Sequence, residues 1–418
     1  MTKGKKRIIY VASIVLIIIY LGSAYLSSKI QYDRYYKFRQ PNSFNKDIIR
    51  LNNYIKNHSK NTSDILDSDF YSSYPIENVM LELARSYYIK KEYKKADTLL
   101  LEAAQIELNN KLSQDAMYLR GVILVEQFKY SKAVEQLEKI LSINKNNIEA
   151  LKFISKIYFI SDRQKALEYA KKATITKKEL LRHQGEKDID LALSKRWETI
   201  VAEFDTKFED DPAAATIEIM GEFIEAPLKL ELCKNVLKSN NPSDPQKMQE
   251  LLERMGMLYT EVGMNEEAIN TYKTLIETTP TYGRGYILLA DRSIKTNNLT
   301  LIDELYDGIQ KQQGLEIEKD IIDALVQYKR GKTDYALKKL HKINSKNYEI
   351  ILNHITGGLH KDLGDNKNAI KSYNKIYNTT YNEDINFYYW WAILHEVEEE
   401  ILSMSKRGKD VNPFAFIP

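Results

Sequence analysis

Leu251–Pro280 reads LLERMGMLYTEVGMNEEAINTYKTLIETTP, and this stretch decides the fold. Leu252, Met255, Gly256 and Tyr259 recur at steps of three and four, the spacing that lays side chains along one face of an α-helix. Ala268, Tyr272 and Leu275 repeat the pattern and predict a second helix, which Pro280 stops. Gly256 and Ala268 are small where two antiparallel helices must cross. Tyr259, Tyr272 and Leu275 are large where a neighbouring unit must be filled. One such pair cannot close a core alone, so the same residues are expected to recur.

They do recur. Ala290 follows Gly256 by 34 residues, with Ile302 and Tyr306 behind it, and Ala324 follows Ala290 by 34, with Ala336, Leu340 and Ile343. Gly357 follows by 33, with Ala369, Tyr373 and Ile376. Upstream, Ala84 pairs with Ala96, Gly121 with Ala133, and Ser155 with an Ala166 that comes one residue early. These residues resemble the tetratricopeptide repeat, with Leu252 in place of the usual Trp. The resemblance implies stacked helix pairs whose first helices line a concave surface, on which an extended peptide or a partner helix lies.

The expected fold is all-α: an N-terminal transmembrane helix, then an α-α solenoid in two blocks with an irregular helical centre and a C-terminal capping helix. Block 1 covers 76–177 with about three repeats, and block 2 covers 249–380 with about four. Between them 178–248 keeps helical steps at Leu193, Trp197, Ile200, Phe204 and Phe208 without the small pair, which predicts one or two non-standard helical pairs. Pro212 should start a helix and Pro227 should bend or end it, and SNNPSDP at Ser239–Pro245 reads as a linker. In 381–405, Phe387, Trp390, Trp391, Leu394, Val397 and Ile401 form a stripe. Glu396, Glu398, Glu399 and Glu400 lie mostly off it, as a capping helix with one wet face requires. Residues 406–418 are a tail, and 29–75 a juxtamembrane helix and connector.

Ahead of these, after a basic tail at 1–7, Ile8–Ser28 is a run of 21 residues without a charge. As a helix it is about 31 Å long, enough to cross a bilayer. The alternative is a cleaved signal, with Gly22-Ser23-Ala24 as the cleavage site. Basic residues flank both sides. The compact cluster Lys3, Lys5, Lys6 and Arg7 favours a cytoplasmic N-terminus and a periplasmic solenoid, with the cytosolic topology left open.

Elsewhere the composition excludes more than it assigns. Basic and acidic side chains number 61 and 58, for a net charge of +3, so no basic field exists for nucleic acid. Cys233 is the one cysteine, which removes a disulfide framework and a thiolate metal site. His354 and His360, six apart, face different sides of a helix and do not form a zinc pair. Gly331-Lys332-Thr333 imitates the end of a phosphate loop, but Val326 stands where its first glycine belongs. No catalytic, cofactor or metal residue is assigned, and the chain is read as a non-enzyme.

Partner binding is assigned to exposed first-helix positions: Glu253, Arg254 and Glu261 in the best repeat, Arg85 and Lys90 upstream, and Arg120 at a normally apolar position. Two apolar features join them, Tyr388-Tyr389 off the capping stripe and Phe414 and Phe416 in the terminal NPFAFIP. The expected partners are other proteins, with the lipid bilayer contacted through Ile8–Ser28 and self-association left open. The expected function is a membrane-anchored scaffold for an envelope complex of flagellar, pilus, secretion or translocation type. A chaperone-like holder of unfolded or newly translocated chains is the alternative, and a divergent enzyme a remote one.

Overall fold

The computed structural model describes residues 76–106, 111–181, 189–222, 224–239, 243–377 and 385–405. Ile8–Ser28, the connector 29–75 and the tail with Phe414 and Phe416 lie outside the described residues. Among the described residues there is no strand, and no helix is long and apolar enough to cross a membrane. Two compact units divide between Leu99 and Leu100.

The first unit contributes α1 (Ile76–Ile89) and the start of α2 (Tyr93–Ile106), joined by a turn in which Lys91 adopts a φ of 56°. Ala84 and Ala96 are both completely buried.

In the second unit two helix pairs of block 1 geometry give way to a different packing. The pairs are α3 (Lys111–Glu126) with α4 (Tyr130–Ile143), and α5 (Ile148–Tyr158) with α6 (Arg163–Leu181). Then come α7 (Ile189–Asp210), α8 (Pro212–Met220) and α9 (Ala226–Lys238), three helices that do not form a further repeat. One apolar core runs from Met117 in α3 to Leu232 in α9.

In the third repeat the small residue and the early Ala166 are joined directly. Ser155, the small residue of α5, donates its hydroxyl to the Ala166 carbonyl at 2.7 Å and accepts from the Trp197 indole at 2.8 Å. A small polar residue is thus satisfied on both sides in a buried crossing, and it ties α7 to the hairpin. Phe159, Trp197 and Phe204 cluster around it, with the Arg163 guanidinium 4.1 Å from the Phe159 ring centre.

Pro212 opens α8 at its first position, with Asp211 as N-cap accepting from the Ala214 amide. The expectation for Pro227 is corrected. It neither bends nor ends a helix, because α8 has already stopped at Met220 and Pro227 sits in the first turn of α9, where its missing N–H is no loss.

Block 2 starts at α10 (Pro245–Glu261), capped by Asp244, and pairs it with α11 (Asn265–Thr278). The next pairs are α12 (Gly283–Lys295) with α13 (Thr300–Gln310), α14 (Glu316–Lys329) with α15 (Thr333–Leu340), and α16 (Glu349–Asp362) with α17 (Asn366–Tyr377). The chain closes on α18 (Ile385–Ser405). Gly331, part of the phosphate-loop imitation, is the left-handed turn residue between α14 and α15, with a φ of 78°.

The small residues are sterically required. A Cβ on Gly256 would stand 2.2 Å from the Tyr272 ring, one on Gly357 2.5 Å from the Tyr373 ring, and one on Gly121 3.3 Å from Leu137. In each hairpin the large partner lies 16 residues after the glycine. The alanine of the second helix is as enclosed, Ala133, Ala268, Ala336 and Ala369 being fully buried. Ala268→Trp is therefore expected to overpack the α10–α11 crossing and cost about 1–3 kcal/mol. Urea unfolding of the variant checks this, and an unchanged midpoint would mean that the register is wrong.

Candidate binding groove

Block 2 curls tightly. Helix α12 packs on α16, two repeats further on, and the Arg284 guanidinium of α12 donates to the Asn347 carbonyl just before α16 at 3.1 Å. Helix α18 covers α17 at the end of the stack, as a cap should. Trp390 is buried there and donates its indole N–H to the Ile376 carbonyl at 2.8 Å, while Leu394, Val397 and Ile401 are fully enclosed.

The same helix then continues across α16 to α10, the first helix of the first repeat of the block. It is bound to α12 on the way by ion pairs. A segment that meets first helices of three repeats lies across the inner face of the stack, the surface on which such repeats hold their ligands. Here the occupant is the chain's own C-terminal helix.

Its polar contacts are specific. Arg292 of α12 is fully buried and uses its fork completely: Nη1 and Nη2 donate to the two oxygens of Glu396 at 2.8 and 3.2 Å, and Nε and Nη2 to Asp291 at 3.1 and 2.7 Å. Such bidentate charged pairs fix orientation as well as distance. His354 of α16 pairs through Nδ1 with Asp291 at 2.7 Å, and the Tyr389 hydroxyl lies 3.4 Å from the same nitrogen. One turn beyond, Glu400 accepts from Lys295 of α12 at 2.9 Å and pairs with Lys361 of α16 at 2.6 Å. At the other end of α18, the Trp391 indole donates to Glu261 at 2.9 Å and the Arg254 guanidinium lies 4.3 Å from the Tyr388 ring centre.

Several sequence-based assignments are corrected by this packing. Glu396 and Glu400 do not face water; they turn inward because α12 and α16 offer them three cations. Tyr389 is 1% exposed and belongs to the buried network. Glu253 is completely buried, held by Arg284 and by the Tyr282 hydroxyl of the next repeat, so it joins repeats and offers nothing to a partner. Across the α10–α18 contact Arg254 meets Tyr388 and Glu261 meets Trp391. Three residues chosen as separate partner surfaces are two sides of one internal interface. Arg120 donates to Gln136 at 3.1 Å inside the α3–α4 hairpin, Arg85 pairs with Glu82 one turn back, and Lys90 lies 3.7 Å from Glu92.

Sequence reasoning missed Asp291, Arg292, Lys295, His354 and Lys361. A signal was present: Asp291-Arg292 interrupts the apolar run YILLA on a first helix, and a charged pair in such a run needs internal partners. Among the described residues no group of three or more His, Cys, Asp or Glu side chains is placed to hold a metal.

Burial pushes Asp291, Glu396 and Glu400 up, but neighbouring groups outweigh it and hold all three below the usual carboxylate range. His354 and Arg292 act on Asp291, Arg292 and Lys295 on Glu396, and Lys295 and Lys361 on Glu400. A carboxylate lowered by folding contributes stability that is complete above its unfolded pKa and is lost as pH falls through the folded one. Glu253, which burial raises, works in the opposite sense but lies outside the α18 contact. Docking of α18 is thus expected to hold from pH 7 down to about 5 and to weaken below about pH 4. Trp390 and Trp391 report on it by fluorescence in a Trp197→Phe background, and undocking already at pH 6 would contradict the assignment.

Comparison with protein-family models gives two matches to the tetratricopeptide repeat, at residues 114–147 and 249–282. These cover α3–α4 and α10–α11, so the chain carries tetratricopeptide repeats in both blocks. Comparison with curated proteins gives no match. Solved structures with similarity include the apo quorum sensor NprR from B. thuringiensis, at 16% identity over 88% of this chain and 99% of that one, with a TM-score of 0.26. A tetratricopeptide repeat protein from Parabacteroides merdae shares 15% identity over 78% of this chain and 98% of its own, with a TM-score of 0.24. The P58(IPK) TPR domain shares 12% over 81% of this chain and 100% of its own, with a TM-score of 0.23.

Proposed function

We propose that this tetratricopeptide-repeat chain is a membrane-anchored scaffold, which holds other proteins beside the cytoplasmic membrane and catalyses no reaction. The observation that carries the reading is the repeat itself. Within block 2 the hairpins with the small-residue crossing stack so that their first helices share one face, and this architecture is suited to recognising protein segments.

The anchor reading is supported by the 21 uncharged residues of Ile8–Ser28. Confinement to a membrane raises the effective concentration of each partner gathered there, which suits the assembly of a multiprotein complex of the cell envelope. With the basic cluster of the N-terminus in the cytoplasm, the repeats lie on the periplasmic side.

Two measurements test this reading. Protease added to intact spheroplasts should digest the repeats while a cytosolic marker survives; protection of the repeats would reverse the topology. Mild crosslinking followed by affinity purification should return a few stoichiometric partners. A broad population of unfolded chains would instead favour a chaperone-like holder.

A further inference from the structure

The α18 contact is more elaborate than a cap requires. A helix that only seals the end of a stack needs one apolar face, and Trp390, Leu394, Val397 and Ile401 supply it against α17. Glu396 and Glu400 project about 100° round the helix from that stripe. They engage three cations, two on α12 and one on α16. Trp391 and Tyr388 add a third set of contacts on α10. The inner face of block 2 therefore reads a pattern: an aromatic residue with a ring N–H, a carboxylate five residues later on Arg292, and a second carboxylate nine residues later on Lys295 and Lys361.

We infer that this face is a docking groove for an acidic amphipathic helix of a partner protein, and that α18 is its resident occupant, which the partner helix replaces. The inference rests on the reading of the chain as a protein-binding scaffold and names the class of segment that block 2 accepts. Charge complementarity is what commits the groove to this occupant. Around Glu396 and Glu400 the cations Arg292, Lys295 and Lys361 outnumber the one carboxylate, Asp291, while on α10 Glu261 takes the Trp391 N–H and Arg254, paired with Glu250, lies over the Tyr388 ring.

Exchange is physically reasonable for such a contact. Charged pairs at an interface select the partner and its register more than they add net affinity. The outer members, Lys295 and Lys361, keep 29% and 42% of their side-chain surface in water. A resident helix tethered at high effective concentration makes the groove respond only to a partner that is itself concentrated or tightly matched. A membrane-confined assembly supplies that condition.

The test uses a fluorescent peptide with the sequence of residues 385–405 and the purified full chain in detergent, read by anisotropy. The wild-type chain, with α18 in place, should bind the peptide weakly. The E396K/E400K chain, whose resident helix is repelled, should bind it about tenfold more tightly or better. A second pair guards against misfolding of that variant. In the K295E/K361E chain, a peptide carrying Glu400→Lys should be preferred over the native peptide by about tenfold, the reverse of the order in the E396K/E400K chain.

Equal binding of both peptides by both chains would overturn the inference. So would binding that appears only with dimerisation by light scattering, since that assigns the groove to α18 of a second copy. In either case stoichiometric partners that still crosslink to the chain would leave the scaffold reading standing.

Discussion

Arg292→Ala is expected to destabilise the second unit by about 3–5 kcal/mol, among the largest effects of any single substitution in the chain. The reason is the company the guanidinium keeps. Asp291 is 2% exposed and Glu396 16%, and Arg292 supplies hydrogen bonds to both. Removing it takes from two carboxylates in a low-dielectric site their strongest partner, leaving Asp291 to His354 and Glu396 to Lys295 4.0 Å away, so much of their desolvation is no longer compensated. The gross strength of the pair is not its worth. Replacing both partners by apolar groups, as in R292M/E396L, should recover a large part of the loss, because it also removes the penalty for burying charge. Urea unfolding monitored by circular dichroism distinguishes the cases. A loss under about 1 kcal/mol in R292A would mean that the network is solvated, and that α18 does not rest on α12.

Trp390→Ala is expected to have an effect of similar size, about 3–5 kcal/mol, for a different reason. Trp390 is 1% exposed and is the largest fully buried side chain of the described residues. Its truncation leaves a cavity between α18 and α17 and an unpaired carbonyl at Ile376. Trp390→Phe should retain most of the packing and lose only the hydrogen bond, for about 0.5–1.5 kcal/mol. The ordering of these variants separates packing from polarity at the cap. Equal losses in Ala and Phe variants would contradict it.

The repeat was readable because its steric requirement is local. A tyrosine 16 residues after a glycine leaves no room for a Cβ, and the pairs Gly256 with Tyr272 and Gly357 with Tyr373 show it in structure as in sequence. Ser155 fitted the small position, and only the fold revealed that its hydroxyl is answered by Ala166 and Trp197. The reading of Pro227 as a bend or stop fails because proline suits the first turn of a helix as well as the place beyond its end.

The groove was hidden for a physical reason. Its contacts join residues about a hundred positions apart, such as Arg292 and Glu396, and hydrophobic periodicity carries no information at that range. Glu396 and Glu400 look solvated on a helical wheel because the wheel knows only the apolar stripe, not the cations of α12 and α16. In the sequence Arg254 reads as an exposed charge and Tyr388 as an off-stripe aromatic, each assigned to a partner. The chain satisfies each with the other.

The account depends most on α18 lying across the inner face of its own block, and a zero-length carbodiimide crosslink reads that placement directly. It joins a lysine to a carboxylate only when the two are in contact, as Lys295 and Lys361 are with Glu400. Peptides linking Lys295 or Lys361 to Glu400 should be recovered from the monomer band and lost in the Glu400→Gln variant. Their absence from monomer, or their recovery only from a crosslinked dimer, would contradict the self-occupied groove.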